Sequence, residues 1–479
     1  MMNLLSTHII KRTVLDFQFN GNTDGFSFQQ EVKDWFDAFI PQLTSKLDEV
    51  AIPDTIISMK ELQLEVELTA TDWKQQASQQ LMNQLKDKIQ LIQNGVIASS
   101  GYKQQTSDEH FANTFLFYLQ HGYLQWNAAG IAVEKWNEQL DKTFLHSNEN
   151  FTNALKEMLV SSAAARERLM QLIPFQSAVE LFRSYNEQRS AVHLKLIHDL
   201  QLLMKTAIVH HYYSMRQVLY KAFLLTLSPT ADPAQIKQEL AQSIHKKALI
   251  DPSVIEVVAQ LQFQSKRLIA LQTGLSAEKK STRFKNEARK FRTQILIQQE
   301  PQLLDMQDLH QSIDEPVFIS NAGLVIVAAF LPAFFEKLKL VSNQSISDHQ
   351  KATCLLQYLV TGTDKIQEYD LALPKILCGV PVTKPVHTGS FRITKVLRKE
   401  ADEVLLSVIE YWSILQNTSL EGLRQSFLQR NGKLSSNGSE WLLQVEQQPY
   451  DLLLQHLPWN ISMIKLPWME QMLKTEWIH

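Results

Sequence analysis

A chain of 479 residues exceeds one ordinary core, so two to four domains are expected. Its 44% hydrophobic content provides for a sizeable core, and the scarcity of Gly (14) and Pro (15) beside abundant Leu, Gln and Lys favours helices over an all-β design. A net charge of -3 excludes a general case for nucleic acid binding, and only Cys354 and Cys378 occur, which excludes a disulfide framework and fits a reducing compartment.

The N-terminus lacks a basic n-region, and Lys11-Arg12 interrupt its apolar residues, which argues against a signal peptide. Within residues 8–19, Leu15, Phe17 and Phe19 alternate with Asp16 and Gln18, predicting a half-buried strand. Apolar residues from Phe28 to Leu47 recur at helical spacing, and Pro53 ends that element. Leu62, Leu64, Val66 and Leu68 alternate with Glu61, Gln63, Glu65 and Glu67, the cleanest strand pattern in the chain, whose acidic residues read as its wet face. Trp73, Ala77, Leu81, Leu85, Ile89 and Ile92 form a second helical face closed by Gly95. Residues 1–98 therefore read as a small β-α-β-α module.

Residues 96–107 are polar and predict a linker. An apolar aromatic stretch, Phe111–Leu119, leads into Gly122-Tyr123-Leu124-Gln125-Trp126. From there to about 310 the pattern is helical, and Pro174, Pro229, Pro233, Pro252 and Gly274 divide it into several helices folded against each other. Residues 99–310 thus form a helical middle region without heptads long enough for a coiled coil. Its run 279–292 is basic (Lys279, Lys280, Arg283, Lys285, Arg289, Lys290 and Arg292 against Glu287) and reads as a solvated helix or connector; the sharper alternative is a contact with an acidic protein surface or nucleic acid.

Residues 311–479 read as a helical domain with a small β element. Its most apolar run, Ala322–Phe335, holds Pro332 and falls short of the roughly 20 residues a membrane span needs, so it predicts a buried core helix. Helices are expected near 321–338, 347–361, 402–416 and 419–431, with Thr418 and Glu421 as a capping box and Gly432 as a stop. Short strands are expected at Trp441–Gln447 and Ile461–Leu466.

Motifs that carry chemistry are missing from the sequence. Gly432-Lys433 fails as a P-loop, because Phe427 stands where the first Gly belongs and Leu434 follows the Lys. Neither His210-His211 nor His193 and His198 has the spacing of metal ligands on one helix face. Cys378, between apolar neighbours, reads as a buried structural thiol. No catalytic residue, cofactor site or metal site is predicted, and the chain is expected not to be an enzyme.

The C-terminus carries the strongest signal. Leu457-Pro458-Trp459 and Leu466-Pro467-Trp468-Met469 lie nine residues apart, and five of the nine tryptophans fall within 412–477. Proline fixes where an element starts or stops, and tryptophan brings a large apolar face with one N–H that wants a partner. Trp459, Ile464, Trp468, Met469 and Trp477 are therefore candidates either for packing a cap on their own domain or for docking a partner.

These triplets belong to a longer ordered pattern: Asn417-Thr418-Ser419, Gly422-Leu423-Arg424, Phe427-Leu428, Arg430, Gly432-Lys433-Leu434, Trp441, Val445-Glu446, Pro449-Tyr450-Asp451, Leu453-Leu454 and Trp477. Upstream stand Asn321-Ala322-Gly323-Leu324, Phe330-Leu331-Pro332, Leu355-Leu356, Tyr358-Leu359, Thr361-Gly362 and Leu377-Cys378-Gly379. The pattern resembles the tape-measure protein family of contractile injection systems, the phage-tail-like particles that bacteria build. The resemblance covers 315–479 most fully and extends to 1–126, where Gly122-Tyr123-Leu124-Gln125-Trp126 resembles a Leu-Pro-Trp element with Gln125 in place of proline. It implies a structural role in setting inner tube and sheath length and nucleating assembly on the baseplate. Tube, baseplate and hub proteins would be its partners, self-association in the lumen a further possibility, and the cytoplasm and then the assembled particle its location. The alternative is a non-ruler assembly chaperone or baseplate plug. No nucleic acid and no stable membrane insertion are implied.

Overall fold

The computed structural model describes His8, Ile10, residues 13–16, Gln18, and residues 24–52, 54–68, 72–93, 102–128, Trp136, 149–173, 232–250 and 315–477. The protein is mainly α with a few small sheets. It divides into two compact units, one of residues 1–114 and 126–139, the other of residues 115–125 and 140–479. The basic run 279–292 and the histidines at 193, 198, 210 and 211 lie outside the described residues.

In the first unit, helix Gly25–Val50 starts where the Asp24 carboxylate accepts the Ser27 N–H (3.1 Å). It packs against helix Trp73–Gln93, whose buried residues Ala77, Leu85, Ile89 and Ile92 recur at helical spacing. Trp35 stacks on Phe39 (5.5 Å between centroids), meets Trp73 edge-on (5.4 Å), and donates its indole N–H to Ser78 Oγ at 3.2 Å.

Three expectations for this unit are corrected. Residues 13–16 make no ladder, and Leu15 is exposed; Phe17 and Phe19 lie outside the described residues. The ladder forms instead between Thr55–Met59 and Tyr102–Thr106, antiparallel, so part of the expected linker is a strand. The alternating stretch 61–68 is not a ladder strand, and its partner is a helix face. Gln84 accepts the Glu65 N–H (3.3 Å) and donates to the Glu65 carbonyl (2.6 Å), Gln80 donates to the Glu67 carbonyl (3.4 Å), and Lys88 donates to the Gln63 carbonyl. Four residues of helix rise about 6 Å, and two residues of extended chain about 6.6 Å, so side chains at 80, 84 and 88 reach alternate carbonyls in reverse order.

In the second unit, the apolar run forms a 3₁₀ helix, Ala322–Phe330, continued by α-helix Leu331–Lys337 with Pro332 in its first turn. Every residue from Ala322 to Ala328 is buried. This run is core, and among the described residues no helix is long and apolar enough to cross a membrane. Helices His349–Thr361, Ala372–Leu377 and Lys395–Tyr411 surround it. Asp348 and Thr394 cap the first and third of these, accepting the Lys351 and Leu397 N–H groups.

Helix Leu420–Leu423 is capped by Ser419, whose Oγ accepts the Gly422 N–H at 3.0 Å, one residue later than the expected Thr418 cap. It runs into a π-helical turn, Arg424–Leu428, closed by the Gln429 N–H on the Arg424 carbonyl (2.8 Å). Gly432 does not stop this helix; it opens a strand.

The larger sheet of the second unit has five strands in the order Val317–Ile319, Gly432–Ser436, Glu440–Val445, Met472–Glu476, Met463–Ile464, beside a two-stranded ladder of Val341–Ser342 and Ser345–Ile346. Glu440–Val445 is antiparallel to Gly432–Ser436 and parallel to Met472–Glu476. Leu434, Leu443 and Leu473 are wholly buried beneath the helices.

Candidate functional site

Two adjacent parallel strands cannot be joined by a hairpin; they need a crossover of a dozen or more residues. Residues 446–471 are that crossover, and both Leu-Pro-Trp triplets lie within it. The chain end is therefore woven through the sheet, with the last strand beside its central one.

Each triplet tryptophan is tied to a different part of the helical layer. Trp459 donates its indole N–H to the Ile326 carbonyl (2.9 Å) and meets Phe330 edge-on at 5.0 Å. Trp468 donates to the Leu377 carbonyl (2.8 Å), with its ring 5.5 Å from Phe335. A 3₁₀ helix has a thin, tightly wound backbone whose carbonyls splay outward, which suits Ile326 to an acceptor role. Ile464 is buried in the edge strand opposite Leu473. Met469 is buried, and its Sδ accepts the Leu466 N–H at 3.5 Å. Trp477 is buried just beyond the final strand.

Trp477 belongs to a polar lock. Arg430 binds Asp451 with two parallel hydrogen bonds, Nη1 to Oδ1 at 2.6 Å and Nη2 to Oδ2 at 2.9 Å. Asp451 Oδ2 also accepts the Gln448 N–H (2.8 Å) and the Trp477 indole N–H (3.1 Å). The guanidinium lies 5.4 Å from the Tyr450 ring and 5.3 Å from the Trp477 ring, a cation held between two aromatic faces. Burial alone would raise the Asp451 pKa; the Arg430 and Gln448 hydrogen bonds, the Arg430 charge and Trp477 outweigh it and hold the carboxyl below its ordinary value.

Sequence reasoning does not mark Arg430 and Asp451 as site residues. Their type gives no signal, because a surface Arg and Asp 21 residues apart look the same in sequence as this buried pair. Gly323 is likewise unmarked as a contact. A Cβ there would lie 1.6 Å from the Phe427 carbonyl oxygen, so the 3₁₀ helix rests directly on the π-helical turn.

Both thiols are buried. Burial pushes Cys354 up to about 12 and Cys378 well above the ordinary thiol range, so neither is a thiolate near neutral pH. Among the described residues no group of three His, Cys, Asp or Glu could hold a metal ion.

The residues in these contacts (Asn321 to Leu324, Leu377 to Gly379, Arg430, Asp451, both triplets and Trp477) are those of the ordered sequence pattern. No curated protein matches the chain, and no solved structure does. The family model described as contractile injection system tape measure protein matches residues 7–477, nearly the whole chain. The chain belongs to the contractile injection system tape measure protein family.

Proposed function

We propose that this chain is the ruler that sets the length of the inner tube and sheath of a contractile injection system and nucleates their assembly on the baseplate. The observation that carries the reading is the family match across residues 7–477. The role is shared among three regions, an N-terminal module over 1–98, a helical middle over 99–310, and a C-terminal domain over 311–479. A helix rises about 1.5 Å per residue, so the middle extended as helix would span about 300 Å, and the whole chain roughly 700 Å. The ends engage baseplate, hub and tube proteins; the middle occupies the lumen. The function is structural, without catalysis, cofactor or nucleic acid, and begins in the cytoplasm before the chain is enclosed in the particle.

Within this reading Trp459, Ile464, Trp468, Met469 and Trp477 pack the cap and do not dock a partner. The indole N–H groups of the three tryptophans, spent on Ile326, Leu377 and Asp451, support that assignment.

In-frame deletions within 150–310 test the ruler. Tubes measured by electron microscopy should shorten by up to about 1.5 Å per residue removed. Intact particles of unchanged length would overturn the ruler and leave an assembly chaperone or baseplate plug.

A further inference from the structure

Arg168, on helix Ala163–Leu172, is wholly buried. Its Nε donates to Glu368 Oε1 (3.2 Å), its Nη1 to the Leu119 and Gln120 carbonyls (2.8 and 3.0 Å), and its Nη2 to the Thr383 carbonyl. Leu119 and Gln120 close the last turn of helix Ser107–His121, where carbonyls lack intrahelical donors and the helix end carries partial negative charge. The chain then turns at Gly122 with φ +81°, and a Cβ there would lie 2.4 Å from Arg168 Nη2. One guanidinium thus holds a helix end, a loop and a carboxylate together.

The carboxylate does not depend on it. Lys375 Nζ donates to Glu368 Oε1 (2.9 Å) and to the Val382 carbonyl (2.9 Å), and the Tyr118 hydroxyl donates to Glu368 Oε2 (3.4 Å). The cluster holds two cations and one anion, all buried. Glu368 and Lys375 lie seven residues apart and form a neutral pair by themselves. Burial lowers the Lys375 pKa and the Arg168 charge lowers it further, while Glu368 opposes both, so the two cations compete for one partner. Removing one partner of a buried pair is costly because it leaves a bare charge. Removing Glu368 does that; removing Arg168 leaves the neutral Glu368–Lys375 pair in place.

We propose that Arg168 is a releasable latch: it fastens helix Ala163–Leu172 and the end of helix Ser107–His121 to the C-terminal domain, whose own buried ion pair is complete without it. The purpose of release rests on the ruler reading, since a middle region that extends must let go of the C-terminal domain here.

Hydrogen exchange on the purified full-length chain tests the latch, with Arg168→Met and Glu368→Gln compared. In Arg168→Met, exchange across 163–172 and 115–121 should rise about tenfold or more, while helix His349–Thr361 changes less than about twofold. In Glu368→Gln, which leaves two cations without their anion, His349–Thr361 should loosen as well. The latch is overturned if Arg168→Met loosens His349–Thr361 together with 163–172, if it yields no folded chain, or if no segment changes. Tube length after deletion judges the ruler separately, so either idea can fail alone.

Discussion

Trp468 donates its indole N–H to the carbonyl of Leu377, and Gly379, two residues beyond Leu377, passes so close beneath it that a Cβ there would lie 2.4 Å from the Trp468 carbonyl oxygen. Gly379 also has φ +65°, a left-handed conformation costly to other residues. Two motifs about 90 residues apart are thus one contact. Gly379→Ala should lower stability by at least about 2 kcal/mol, combining strain with a clash against backbone. Trp468→Phe, which loses the hydrogen bond and part of the ring, should cost about 1 kcal/mol, and Trp468→Ala about 3 kcal/mol. Thermal melts beside a particle-incorporation assay separate the roles: a folded Trp468→Ala chain with unchanged melting that fails to incorporate would make Trp468 a docking residue.

Gly323 makes a harsher prediction. Its virtual Cβ would sit 1.6 Å from the Phe427 carbonyl oxygen, and a backbone neighbour cannot swing away as a side chain can. Gly323→Ala should therefore prevent the C-terminal domain from folding, read as lost soluble yield. Gly389→Ala is the control: nothing lies within 4 Å of its added Cβ, and melting should be unchanged.

How much of the fold is legible in the sequence depends on how local the cause is. Helices Gly25–Val50 and Trp73–Gln93 are written in apolar spacing, and so is the extended run 61–68. Period-two alternation reports an extended backbone with one half-covered face but does not name its partner, and here Gln80, Gln84 and Lys88 take the place of a neighbouring strand. Strand Met472–Glu476 escapes notice because its parallel pairing with Glu440–Val445 is a long-range fact. Thr418 and Ser419 offer equal hydroxyls, and packing chooses between them. The cap residues stand out through their unusual density of Trp and Pro. Their anchors (Ile326, Leu377, Asp451) offer a carbonyl or a carboxylate that any residue of their kind could offer.

The Arg430–Asp451 lock should show itself in acid. Asp451 is held below its ordinary carboxyl value, so its contribution is present above the unfolded pKa near 3.8 and is lost as pH falls through the lower native value. Asp451→Asn keeps the shape but leaves Arg430 buried beside a neutral group, at a cost of about 3 kcal/mol at pH 7. Denaturant unfolding from pH 7 down to pH 2 should show the wild-type chain losing more stability than the variant below about pH 4. Parallel curves would mean that the pair contributes nothing.

Asp370 predicts the opposite slope. Its carboxyl is half-buried, and burial alone pushes its pKa from 3.8 to about 7. For a carboxyl raised in the native state, the contribution is fully present below the unfolded value and is lost as pH rises through the native one. The wild-type chain should thus lose stability between about pH 4 and pH 7 at this site, because the carboxyl ionises in the unfolded chain while burial keeps it protonated in the native one. Asp370→Asn removes the ionisation while keeping the size. The variant should match wild type at pH 4 and exceed it by about 2–4 kcal/mol at pH 8, from a shift of about three units at about 1.4 kcal/mol each. Urea titrations at pH 4, 6 and 8 measure the difference. A variant no more stable at pH 8 than at pH 4, relative to wild type, would mean that water reaches the carboxylate and keeps it charged at no cost.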